Sequence, residues 1–248
     1  MDSVRLDIAY HGARFAGWAA QPEMRTVQGE LESALERLLG GRTPLTVAGR
    51  TDAGVHAWNQ VASFEYGEES PEDLARALNS LTAPDVTVIS ASPAGAFNAR
   101  RDALSRTYCY RVHAERTPNP FETGISLHWP HRLDDTALAA CAEALVGTHD
   151  FTAFTPTQSE HVRFERDILR AEWEEKASVL GHGRVLELWI EADAFMRNMV
   201  RVLIGTMLEV GGGRRTLEDF GALLGGAPRD RAGDTAQAHG LHLVSVRY

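Results

Sequence analysis

Between Ala48 and His56 the chain reads Ala-Gly-Arg-Thr-Asp-Ala-Gly-Val-His, which sets one carboxylate, Asp52, between two glycines. The preceding Leu45-Thr46-Val47-Ala48 is apolar and β-branched enough for a strand, and Gly49 and Gly54 permit backbone angles that other residues resist. Asp52 is therefore expected on a tight loop at a strand end. Residues two apart in an extended segment point the same way, so the Arg50 guanidinium should lie beside the Asp52 carboxylate and keep it ionised. An ionised, held carboxylate suits a nucleophile or a general base better than a proton donor. A second reading of the same residues stays open: an Asp in a Gly-rich turn commonly caps its own backbone.

A second group of chemistry-bearing residues runs from Phe97 to Arg116. Five arginines, Arg100, Arg101, Arg106, Arg111 and Arg116, stand there against Asp102 and Glu115, with Phe97, Tyr108 and Tyr110 interleaved. That mixture suits phosphate contacts and base stacking, and it also describes a solvated basic face. The net charge of −9 argues against wholesale, sequence-independent nucleic-acid binding, which Lys and Arg would have to drive. The basic residues are nonetheless all Arg except Lys176, and Arg favours bidentate phosphate contacts. Cys109 and Cys141 form no Cys-x-x-Cys and the histidines are scattered, so no metal site is expected. The first ten residues lack a signal-peptide core and no apolar run is long enough to span a bilayer, so the expectation is a soluble, cytoplasmic protein with no membrane partner.

The elements that must position these residues follow from periodicity. Val4, Leu6, Ile8 and Tyr10 alternate with polar neighbours, the signal of a strand with one buried face. Thr26 can cap a helix with Val27, Leu31, Leu35, Leu38 and Leu39 on one face, stopped by Gly40-Gly41. Strands at 45–48 and 60–66 flank the Asp52 loop; Ser70-Pro71-Glu72-Asp73 starts a second helix and 86–89 is a fourth strand. The order βαββαβ is the ferredoxin-like unit. The second half repeats it: a strand at 106–113, a helix at 136–146, strands at 168–173 and 185–192 joined through Gly181-His182-Gly183, a helical stripe from Phe195 to Val210, a short helix at 216–224 and a last strand at 241–247. No linker separates the halves. The expected class is α+β: two ferredoxin-like βαββαβ halves, residues 1–103 and 104–248, joined into one extended antiparallel sheet with helices on one face.

The string from Ala48 to His56, with Gln60-Val61 and Phe64 after it, resembles the signature of the tRNA pseudouridine synthase A family. Other blocks agree in order: Tyr10-x-Gly12-x-x-Phe15-x-Gly17-Trp18, Thr26-Val27-Gln28, Phe97-x-Ala99-Arg100, Arg106-x-Tyr108-x-Tyr110, His149-Asp150-Phe151, Phe195-x-x-x-Met199-Val200-Arg201 and Gly240-Leu241. The resemblance spans essentially the whole chain and implies the pseudouridine synthase fold and isomerisation of uridine to pseudouridine in the anticodon stem-loop of tRNA, by homodimers, without cofactor or metal. It makes Asp52 the catalytic nucleophile and gives Arg50 the tasks of holding Asp52 and helping to extrude the nucleotide. It sets Tyr108 against the target base, and Arg201 and Arg100 at the substrate. The chain departs from the family at Ala19, Asn98 and Arg101, which bears on RNA contacts rather than on the nucleophile. Two other function classes compete with this one: a tRNA-binding or chaperone module without catalysis, and a small-molecule hydrolase using Asp52 with a histidine. A binding-only protein has no use for a held carboxylate facing phosphate-rich RNA, and the hydrolase lacks a Ser or Cys nucleophile motif.

Overall fold

In the computed structural model, which describes residues 2–66, 73–158, 162–178, 180–181 and 183–248, the alternating start of the chain is strand β1, Asp2–Tyr10, with Val4, Leu6, Ile8 and Tyr10 buried. Thr26 caps α1, Val27–Leu39: its side-chain oxygen accepts the Gly29 N–H, and Gly40 ends the helix at φ 74°, a left-handed conformation that costs glycine nothing. Val27, Leu31, Ala34 and Leu35 form the buried stripe. Leu38, expected on the same face, sits in the last turn and is exposed. Each fully buried Val or Leu stabilises by roughly 1.5–3 kcal/mol against about 1 kcal/mol for the cap, so packing dominates.

The chain divides into two compact units, residues 1–106 with 242–248, and residues 107–241. The first continues with β2 (Thr46–Val47), β3 (His56–Tyr66), α2 (Leu74–Asn79) and β4 (Val86–Pro93). β2 is shorter than the expected 45–48: at its start the Leu45 N–H bonds Glu32 Oε1 at 2.8 Å, while just past its end the Ala48 N–H still bonds the Val61 carbonyl of β3 at 2.9 Å. The expected start of the second helix at Ser70-Pro71-Glu72 lies outside the described residues. β1 is central, antiparallel to β3 on one side and β4 on the other, and β2 pairs antiparallel with the far edge of β3. That is the strand order of the ferredoxin-like unit.

The second unit carries β5 (Ser105–His113), β6 (Leu127–His128), α3 (Asp135–Leu145), β7 (Gly147–Asp150), β8 (Glu165–Ala177), β9 (Arg184–Ala192), α4 (Met199–Gly211) and α5 (Leu217–Leu223). Its strands run β5-β9-β8-β7, with β6 beside β5. The β8–β9 hairpin is longer than expected, and His182 of its turn lies outside the described residues. The stripe expected from Phe195 becomes helical only at Met199, because Asn198 adopts φ 60° and interrupts the helix there. Thr216 and Asp219 form a reciprocal capping box on α5. β10, Leu241–Arg247, ends the chain as expected, and its His242 and Leu243 pair parallel with His56 and Ala57 of β3 in the first unit. That pairing extends β3 to His56, four residues before the expected start. With ten strands, mostly antiparallel, and five α-helices among the described residues, the class is α+β.

Candidate active site

The loop from Ala48 to Val55 joins β2 to β3 and carries Asp52 at the start of a β-turn. The Val55 N–H donates to the Asp52 carbonyl at 3.2 Å, and Gly54, third in the turn, sits at φ 81°. Only glycine takes that conformation without strain, so the need the sequence signals at Gly54 is met. Gly49 is not among the glycines with positive φ. The expected Arg50–Asp52 pair is absent from the described ion pairs: Arg50 is exposed and Asp52 half-buried. The expectation assumed an extended backbone. The chain instead leaves β2 at Val47 and turns at Asp52, so the rule that residues two apart point the same way does not reach this loop.

What holds the loop is the start of the chain. The Tyr10 hydroxyl lies 2.7 Å from Thr51 Oγ1, and Gln60 Nε2 donates to the Gly49 carbonyl at 2.8 Å and to the Tyr10 hydroxyl at 3.4 Å. Burial pushes the Tyr10 phenol up to about 12, beyond what its hydrogen bonds with Thr51 and Gln60 offset, so it stays protonated at neutral pH. The Trp18 N–H donates to the Thr51 carbonyl at 3.0 Å and the Gly54 N–H to the Phe15 carbonyl at 3.3 Å. The Gly12 N–H donates to His56 Nδ1 at 3.1 Å. Backbone meets backbone here with no room for side chains: a Cβ on Gly12 would stand 1.9 Å from the Val55 carbonyl oxygen, and one on Gly17 2.9 Å from that of Thr51. Each such buried hydrogen bond contributes only about 1 kcal/mol, but together they leave the carboxylate-bearing turn few alternatives.

The basic strip is narrower than its sequence suggests. Arg100 and Arg101 are exposed on a turn whose backbone N–H groups both donate to Asn98 Oδ1, at 3.1 and 2.9 Å, while the Asn98 N–H donates to Asp102 Oδ2 at 2.8 Å. Asn98 is thus the cap of that turn. Arg116 is exposed too. Arg106 and Arg111 face inward: Arg106 bonds backbone carbonyls, and Arg111 pairs with Glu122 and Glu187 at 3.2 and 3.0 Å, with its side chain only 13% exposed. Of the interleaved aromatics, Tyr110 is fully buried with its hydroxyl on the Gln237 carbonyl, and Phe97 packs on Tyr248. Tyr110, with no exposed face, is not a base-stacking platform.

In the second unit Tyr108 of β5 is buried, its ring meeting the Phe195 ring edge-on at 5.1 Å. Arg201 of α4 is half-buried; its Nε donates to the Ala236 carbonyl at 2.7 Å and its Nη1 to Asn198 Oδ1 at 3.0 Å. Cys109 and Cys141 are buried free thiols, and burial pushes Cys141 up to about 11, which makes it unreactive. Among the described residues no group of three or more His, Cys, Asp or Glu is placed to hold a metal ion, and no helix is long and apolar enough to cross a membrane. Sequence reasoning assigned no role to Tyr10, Thr51, Gln60 or the inward turn of Arg106. The signal for Tyr10 and Gln60 was a tyrosine and a glutamine on otherwise apolar strand faces.

The tRNA pseudouridine synthase family matches residues 8–101 and 141–248. Curated proteins named tRNA pseudouridine synthase A share 45% identity in Frankia casuarinae, 39% in Lacticaseibacillus casei and 38% in Bacillus pumilus. Those alignments take in 99%, 100% and 99% of this chain and 89%, 100% and 98% of the respective relatives. The chain belongs to the tRNA pseudouridine synthase family, an isomerase family.

Proposed function

We propose that this chain isomerises uridine to pseudouridine in tRNA with Asp52 as the nucleophile. The observation that carries this reading is a half-buried carboxylate on a turn gripped by Tyr10, Gln60, Phe15 and Trp18. In the reaction the sugar C1′–N1 bond breaks, the uracil turns, and C1′ bonds to C5; the C5 proton is lost and N1 gains one, so the product is an isomer. Bond cleavage develops positive charge at C1′, which an ionised carboxylate stabilises or captures as in glycosidases. A loop fixed before substrate arrives contributes this without reorganisation. Arg50, exposed beside the nucleophile, is suited to take the place of the extruded nucleotide rather than to hold Asp52. Tyr108, steadied by Phe195, presents a ring to the base; Arg201 and Arg100 contact the RNA.

The reading extends to the anticodon stem-loop as target, the cytoplasm as location, and a homodimer in which arginines of two subunits share one tRNA. No cofactor or metal enters. The test is Asp52→Asn, assayed in single turnover with saturating tRNA. The amide keeps the shape of the side chain, so tRNA affinity should stay equal or rise slightly, while the rate should fall by at least roughly four orders of magnitude, about 5 kcal/mol of barrier. A variant that forms pseudouridine near the parent rate would return Asp52 to the role of a turn cap.

A further inference from the structure

Arg106 is the one arginine of the basic strip whose guanidinium touches both the catalytic loop and the turn that displays Arg100 and Arg101. Its Nε and Nη2 donate to the Ala48 carbonyl at 3.2 and 2.8 Å, four residues before Asp52. Nη2 also donates to the Arg100 carbonyl and Nη1 to the Ala103 carbonyl, both at 3.2 Å. Ala48 and Ala99 belong to one buried cluster with Val61, and the Ala99 N–H bonds Ser63 Oγ at 3.0 Å on β3, so both ends of the bridge rest on the same wall. The planar fork of a guanidinium can satisfy several carbonyls in fixed directions, which a lysine ammonium on a flexible stem cannot.

We infer that Arg106 is a positioning residue of the isomerisation: it sets the Asp52 loop in place through the Ala48 carbonyl and ties it to the turn that meets the RNA backbone. This rests on Asp52 being the acting carboxylate. It assigns to Arg106 a role distinct from phosphate binding, since these donors are turned to the protein's own carbonyls. A displacement of the loop by about 1 Å is enough to cost on the order of a hundredfold in rate.

The experiment compares Arg106→Lys and Arg106→Ala with the parent and with Asp52→Asn, measuring melting temperature, tRNA affinity against salt, and single-turnover rate at saturating tRNA. The expected result is a rate lowered between about tenfold and a hundredfold in Arg106→Lys, with affinity within about threefold and an unchanged salt slope. Guanidinium ion at low millimolar concentration should restore part of the rate to Arg106→Ala and none to Asp52→Asn. If the alanine variant fails to fold, the lysine variant, which keeps the aliphatic stem, decides alone. A parental rate in Arg106→Lys overturns the proposal. So does a rate loss matched by lost affinity and a flatter salt slope, which would make Arg106 a phosphate contact, or one matched by a lower melting temperature without guanidinium rescue. An active Asp52→Asn would instead refute the nucleophile, a separate failure.

Discussion

Gly12→Ala tests whether the start of the chain positions the Asp52 loop, proposed above to be catalytic, or merely lies beside it. The added Cβ would stand 1.9 Å from the Val55 carbonyl oxygen and 2.5 Å from its carbon. Cβ contacts below 3.0 Å essentially do not occur, and the obstacle is backbone, so the two segments must part by more than about 1 Å. Val55 closes the turn that Asp52 opens, and the Gly12 N–H bond to His56 Nδ1 is stretched by the same movement. Overpacking of this kind costs about 1–3 kcal/mol, a fall in melting temperature between about 2 and 12 °C for a chain of this size. Misplacing the turn by about 1 Å should cost on the order of a hundredfold in single-turnover rate. Gly41→Ala is the control, since nothing lies within 4 Å of a Cβ there and its φ is not positive. Pseudouridine formation on saturating tRNA and thermal melting read the two quantities separately. A Gly12→Ala protein with the parental rate would refute the reasoning even if it melted lower, because the loop would then have tolerated displacement.

Tyr108→Phe should keep most of the tRNA affinity, whereas Tyr108→Ala should lose roughly 1–3 kcal/mol of base contact; equal binding and turnover in the alanine variant would make Tyr108 a core residue only. Arg100→Ala and Arg101→Ala should each flatten the slope of log affinity against log salt by up to about one unit if they touch phosphate, and unchanged slopes in both would move the RNA contact elsewhere. Arg25, bonded to Asp85 at 2.6 and 2.7 Å, holds the Asp85 carboxyl below the usual carboxylate range. A lowered folded-state pKa gives stability that is present above the unfolded value and lost as pH falls through the folded one. The melting gap between the parent and Arg25→Gln should therefore narrow below about pH 4, and a gap constant to lower pH would exclude this linkage.

Periodicity made the outline of the fold legible. β1, α1 and β10 stand where the apolar spacing and caps place them, because one buried face and a Thr or Gly at the boundary are local properties of the sequence. The Asp52 turn was legible for the same reason, since Gly54 marks a positive φ. Its supports were not. Tyr10 meets Thr51 across 41 residues and Arg106 meets Ala48 across 58, and a pattern of burial reports which face is inward but not which polar partner waits there. The Arg50–Asp52 expectation rests on strand geometry, whereas the loop's described backbone hydrogen bonds go to Phe15 and Trp18.

The acidic total and an RNA substrate are compatible because the arginines divide their work. The repulsion from a net charge of −9 is largely screened beyond a Debye length of about 8 Å at physiological salt, so what matters is the local surface that phosphate meets. Arg100 and Arg101 stand exposed on a turn capped by Asn98, and Asp102, which accepts from the Asn98 N–H, pairs with Arg101 at 3.2 Å. Arg106, five residues beyond Arg101, spends its donors on the carbonyls behind that turn and behind the Asp52 loop. Lysine could serve the first task but not the second, because only the guanidinium keeps its donors in one plane and its charge when half-buried. On the function proposed above, the near absence of lysine fits a basic surface whose arginines have two tasks, one outward to phosphate and one inward to the backbone of the Asp52 loop.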